Sequence, residues 1–282
     1  MNYRNNNLFG VLGSPDFWRF VRSSISRRVI WLLVIVLVVL TMVGLRGYAV
    51  GNFWIISQYL QLFPYLIVAL VAYVFFKLAA YQKFFWQGYA RKMGWSYVEK
   101  GLETDEHGLM FRQGHGRNIT SVLTGTLDNR PLRLRTYRFR IGSGRSSTIY
   151  AYTVYSLRFQ GRFPHLYLDH RQDGFGTQAG VRLPVPREFE EYFHLYAPEE
   201  YEIEALAIFT PEVFAGLLDR KLYYDLEFVD QELHVYIDQL AYDEQTVEKH
   251  LAIVRQTVQL FTEALDAARY EEIPRHSSTL RG

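Results

Sequence analysis

The chain of 282 residues has no cysteine. Disulfides, thiolate zinc sites and a cysteine nucleophile are therefore excluded. HExxH, the P-loop pattern, GxGxxG, GxSxG and the EF-hand pattern are absent as well. The shortest sequence routes to metal, nucleotide and acyl chemistry are closed with them. Net charge is also small, a formal +2, although this hides a strong regional division.

Two long apolar runs are present. The first, Val29 to Leu45, reads VIWLLVIVLVVLTMVGL, with Thr41 its one polar residue. As a helix it covers ~25 Å of a ~30 Å hydrocarbon core. Extension to Val50 closes the gap, because Arg46 can snorkel to the headgroups. The second run, Leu62 to Phe76, becomes a full span from Tyr59 to Tyr81, with Gln61 and Lys77 near the interfaces. Pro64 falls in its first turn, where a missing N–H costs least. A signal peptide is a poor fit, since the first run is too long, lacks a small-x-small cleavage site and is closely followed by the second. A buried core helix would need apolar cover on every side.

Lys and Arg counts around the runs set an orientation. Residues 1–28 carry five (Arg4, Arg19, Arg22, Arg27, Arg28), the connection carries Arg46 alone, and Lys77, Lys83, Arg91 and Lys92 follow the second run. The positive-inside rule then places both termini in the cytoplasm of a multi-pass inner-membrane protein, with a short external loop near Gly47 to Ser57. Ser14-Pro15-Asp16 is a helix start by capping and dipole arguments. The aromatic and basic residues Phe17 to Arg22 then suit either a helix in the headgroup layer or an extension of the first span. Residues 1–13 read as flexible.

Past residue 100 the pattern becomes that of a soluble α+β domain. Residues 107–187 hold thirteen basic and three acidic residues, and residues 188–272 hold five basic and twenty-one acidic. One reading is a basic face led by Arg133, Arg135, Arg138, Arg140 and Arg145, facing anionic lipid or a partner. The other is that the two halves neutralise each other. Nucleic acid is disfavoured by the acidity of the domain as a whole.

The basic half predicts an antiparallel meander: Asn118–Leu127, a turn at Asp128-Asn129, Leu132–Ile141, the loop Gly142 to Ser146, Thr148–Phe159, and a fourth strand Phe163–Asp169. GSG here joins strand to strand, so no helix N-terminus is offered to a phosphate. The acidic half predicts two short helices, Pro198–Ile208 and Thr210–Leu218, then a β hairpin of Tyr224–Val229 and Glu232–Asp238 turning at Asp230-Gln231. A long helix from about Asp243 to Glu272 follows. Its stripe of Val247, Leu251, Val254, Val258, Phe261 and Leu265 is widened by Ile253 and Leu260, which suits a helix laid across its own sheet better than a coiled-coil seam.

His165, Asp169, His170 and Asp173 form the densest group of acid-base or ligating side chains. On one strand His165 and Asp169 lie ~13 Å apart, too far to share an ion. The glutamates from Glu190 to Glu204 read as a solvated face. No cofactor is implied.

Several segments carry a resemblance. Gly88-Tyr89-Ala90-Arg91-Lys92-Met93-Gly94-Trp95-Ser96-Tyr97, Phe163 to Asp169, Tyr192 to Glu202 and Leu206 to Pro211 resemble a family of small bacterial membrane proteins with N-terminal spans and a cytoplasmic α+β domain. The resemblance implies that architecture and no activity. The expected division is a cytoplasmic N-terminal segment 1–28, a transmembrane hairpin 29–81, a cytoplasmic α+β domain 82–274 and a flexible tail 275–282. Its expected role is a binding, scaffold or accessory module touching the bilayer and another membrane or cytoplasmic protein. The alternative is a membrane-surface enzyme or lipid-binding domain using the arginine hairpin and His165, Asp169 and His170. Oligomeric state is not legible.

Overall fold

The computed structural model describes residues 2–3, 17–18, 20–21, 42, 46, 53–103, 106–171 and 180–268. The first apolar run apart from Met42, the Ser14-Pro15-Asp16 helix start, Asp173 and the tail 275–282 lie outside these residues. The chain divides into two compact units, residues 8–85, and residues 1–7 with 86–282.

In the first unit, Phe17, Trp18, Phe20 and Val21 are helical. Phe17 is buried with its ring edge-on to Tyr81 at 5.4 Å, and Phe20 meets Phe84 at 5.1 Å. In chain order, β1 (Asn2–Tyr3) is followed by α1 (Phe53–Met93), a helix of 41 residues. Among the described residues no helix is long and apolar enough to cross a membrane. The helix stops at Gly94, whose φ of 68° only glycine adopts cheaply. Trp95 N–H donates to the Ala90 carbonyl at 2.8 Å, which closes a Schellman motif.

The second unit is α+β. After β2 (Ser96–Lys100) come β3 (His115–Leu127), β4 (Arg130–Ile141) and β5 (Thr148–His170). Then β6 (Val181–Leu183), α2 (Arg187–Glu190) and β7 (Phe193–Ala197) precede α3 (Glu202–Ile208) and α4 (Pro211–Asp219), and β8 (Asp225–Ile237) leads to α5 (Glu244–Ala268). The sheet has eight strands in the order β2-β3-β4-β5-β7-β6, with β1 and β8 also on β5. Because β4 and β8 both pair with residues 153–157, they occupy opposite edges of β5; β7 takes over the β4 edge at residues 167–170.

The expected meander, short helices and long helix are present, and two expectations need correction. Phe163–Asp169 is not a separate strand but the far half of β5, which bends at a bulge where Gly161 has φ 98°. The β hairpin at 224–238 is not a hairpin either. Both of its halves pair antiparallel with β5, from Thr153↔Ile237 to Leu168↔Leu226, as one bent strand. Asp230 (φ 52°) supplies a bulge opposite Phe163 rather than a reversal.

Strand alternation gives the sheet two unlike faces. One carries Leu132, Leu134, Tyr155, Leu157, Leu233 and Val235, all buried, and receives α5. Val247, Leu251, Val254 and Phe261 of α5 are fully buried, with Phe261 edge-on to Phe228 at 5.0 Å. These four are consumed inside the chain, as the width of the stripe predicted, although Val258 is only half-buried and the side chain of Leu265 lies outside the described residues. The other face carries Arg133, Arg135, Tyr137, Phe139, Val154, Ser156, His234 and Tyr236. Segment 106–112 covers it, with Phe111 against Tyr137 at 4.9 Å and Tyr236 at 5.8 Å.

Candidate functional site

Alternation on β4 separates the predicted arginines. Arg133 and Arg135 point to the face under segment 106–112. Arg138, on the other face, donates to the Tyr242 hydroxyl at 3.4 Å, and Arg140 is exposed. The side chain of Arg145 lies outside the described residues. The structure therefore does not gather the described four into one basic surface. Arg133 and Arg135 share an acidic partner from outside the acidic half. Both reach Glu106, at 3.0 and 2.6 Å, a residue that precedes the basic half and was not singled out in the sequence.

Arg135 and Glu106 are both about 1 % exposed. Burial pulls the Arg135 guanidinium below its ordinary pKa and Glu106 opposes that pull. Its guanidinium carbon lies 4.6 Å from the centre of the Phe111 ring, and Nη1 donates to Ser156 Oγ at 2.8 Å. Ser156 is in turn bonded to His234 Nδ1, and His234 Nε2 donates to the His107 carbonyl at 2.7 Å. Burial first, then the nearby Arg135 charge, bring His234 down to about 4, so it is neutral at pH 7.

A second polar centre sits beside the first. Glu227 Oε1 accepts from His165 Nε2 and from the Leu109 N–H, each at 2.5 Å, and Oε2 accepts from the Tyr236 hydroxyl at 2.6 Å. Burial pushes the Glu227 carboxyl up, but the hydrogen bonds from His165 and Tyr236, together with the electrostatic influence of the neighbouring His165 and His234 rings, outweigh it and leave it below the usual range. Gly108 makes this packing possible: a Cβ there would stand 2.8 Å from Glu227 Oε2. Segment 106–112 is thus a strap tied down by Glu106, the His107 carbonyl, the Leu109 N–H and the Met110 carbonyl, which accepts from Tyr137 at 3.2 Å.

The predicted acid-base cluster is distributed among separate partners. His165 belongs to Glu227. Asp169 pairs in register with His194, whose Nδ1 is 4.0 Å from Asp169 Oδ2. His170 donates its backbone N–H to Asp225 at 2.7 Å and stacks its ring on Tyr223. No group of three metal-ligating side chains exists among the described residues.

One cleft of about 330 Å³ opens where β5 and β8 bulge apart, lined by His107, Arg158, Arg162, Val229, Asp230, Gln231 and Glu232. None of these was singled out in the sequence as a ligand-binding residue. The nearest signal was the Asp230-Gln231 pair, which reads as a turn.

No family model matches the chain, and no curated protein matches it. A solved structure, that of the mycobacterial trehalose monomycolate transport factor A, TtfA, is similar over 70 % of this chain and 98 % of its own, with a TM-score of 0.48 and 11 % identity. That likeness is too distant to carry a reading of this chain.

Proposed function

We propose that this protein is a bacterial inner-membrane accessory module: two N-terminal spans anchor an α+β domain in the cytoplasm, where it binds another membrane or cytoplasmic protein. The observation that carries the reading is a stripe on α1. Tyr65, Val68, Ala69, Ala72 and Phe76 are exposed and spaced so that all five fall on one helical face. Tyr65, Val68 and Phe76 are 73, 66 and 71 % exposed. Each large apolar side chain left in water forgoes ~1.5–3 kcal/mol of burial. Hydrocarbon is the solvent that such a face suits, and the uncharged runs at 29–45 and 62–76 with their basic flanks support the same view. Most side chains of both runs lie outside the described residues, so the support comes from sequence and from this stripe.

Binding is favoured over catalysis because the acid-base groups are buried and tied to one another. A general base must come within ~3 Å of a substrate proton, and His165, Asp169 and Glu227 are at most 4 % exposed. Location-reporting fusions at residues 2, 50 and 282 should read cytoplasmic, external, cytoplasmic. An external C-terminus would contradict the proposed orientation.

A further inference from the structure

We propose that the cleft at the β5–β8 bulge binds a phosphate ester, with Arg158 and Arg162 as its anion-holding pair. The pairing of β5 with β8 lapses between Arg158↔Glu232 and Phe163↔Asp230, and Gly161 (φ 98°) and Asp230 (φ 52°) bend the two strands there. In a straight strand, side chains four residues apart project in parallel ~13 Å from each other. The bulge instead lets Arg158 and Arg162 line one cavity. Arg158 is already oriented, since its Nε and Nη2 both donate to Gln231 Oε1, at 3.0 and 2.5 Å.

The charges in the cleft are not spent on one another. Asp230 and Glu232 line it too, yet neither lies within 4.0 Å of either guanidinium among the described residues. Two guanidiniums lining one cleft, neither with a carboxylate within ion-pair distance, suit a multivalent oxyanion, which accepts parallel N–H donors from each planar fork. A metal ion is the wrong occupant, because no group of three metal-ligating side chains forms among the described residues. The two carboxylates are then placed to accept from hydroxyl or amino groups on the same ligand. A volume of about 330 Å³ fits a small phosphate monoester or diester, free or at the head of a lipid. His107 connects the cleft to the buried network, because its carbonyl holds His234. The proposal stands independently of whether α1 crosses a bilayer.

Glycerol 3-phosphate titrated into the full chain in neutral detergent tests the free ester, and vesicles with and without phosphatidylglycerol test the lipid headgroup. Arg158→Gln and Arg162→Gln should each weaken whichever binding occurs by about tenfold, the loss of one charge-assisted contact. Arg112→Gln, outside the cleft, should leave it unchanged. Saturable binding of the soluble ester assigns a free ligand. A phosphatidylglycerol preference that both cleft variants abolish assigns a lipid. Either supports the site, provided the variants melt like the parent chain. Failure of both probes to bind, or binding indifferent to the double variant, overturns it.

Discussion

Glu227→Ala should lower the thermal midpoint of the full chain by about 10 °C or leave it unfolded. The carboxylate is fully buried and accepts three hydrogen bonds, from His165, Leu109 and Tyr236. Removing it orphans three buried donors, and breaking such a buried charged centre costs ~3–5 kcal/mol. At ~2–4 °C per kcal/mol for a domain of this size, that is the stated shift. The damage should be selective. Glu227→Gln keeps an accepting oxygen for His165 and Leu109 and should lose less than half as much, while Tyr236→Phe removes one bond and should cost ~1 kcal/mol. The strap should loosen with the fold, so exchange of the Leu109 amide should accelerate in Glu227→Ala well beyond that of sheet amides. A Glu227→Ala variant that melts within a degree or two of the parent would show that this centre does not hold the strap.

Acid should destabilise the protein steeply between pH 6.5 and pH 4. His234 and His250 are both brought down to about 4, chiefly by burial. In the unfolded chain each takes a proton near 6.5, whereas in the folded protein it resists until about 4. Between those values the unfolded state binds more protons, so stability rises with pH across the window and falls as pH drops through it. A difference of this size amounts to roughly 3 kcal/mol per histidine. Below about 4 both states are protonated and this contribution levels off. Glu227 acts in the next window: its lowered pKa stabilises the fold above the unfolded carboxyl value near 4.3, and that support is lost as pH falls further. Thermal melts from pH 7.5 to 4 should therefore slope downward, and His250→Gln should flatten the slope by about half. A midpoint constant from pH 7 to 4.5 would contradict burial of neutral histidines at these positions.

Local signals were legible in the sequence and long-range pairings were not. Thr210-Pro211-Glu212 opens α4 as read, with Thr210 Oγ accepting the Val213 N–H. Asp128-Asn129 turns β3 into β4 with both residues at positive φ. Each depends on neighbours within a few positions, where propensity and capping act. Asp230-Gln231 misled because a bulge and a two-residue turn make the same local demand, a short polar residue at positive φ, and the choice depends on β5 lying alongside. The arginine stretch misled differently. The odd and even positions of Arg133, Arg135, Arg138 and Arg140 already implied two faces, but their common charge suggested one. Glu106 and Glu227 could not be found as partners, because their ligands lie far along the chain and only the sheet brings them together. A lone carboxylate inside Leu226-Glu227-Phe228-Val229 was the one available hint.

The most direct test of the proposed membrane anchoring exploits the absence of cysteine, which makes every introduced thiol unique. Val68→Cys would place a thiol on the exposed stripe of α1, and Glu212→Cys would place one on the exposed start of α4. Broken membranes containing either full-length variant would be treated with a charged, water-soluble maleimide, then treated again after dissolution in denaturant. The account predicts that the Glu212→Cys thiol reacts at once, while the Val68→Cys thiol stays unreacted until the bilayer is dissolved. Equal labelling of both before denaturant, or recovery of the chain in the soluble fraction, would mean that the stripe faces water and that the membrane reading is wrong.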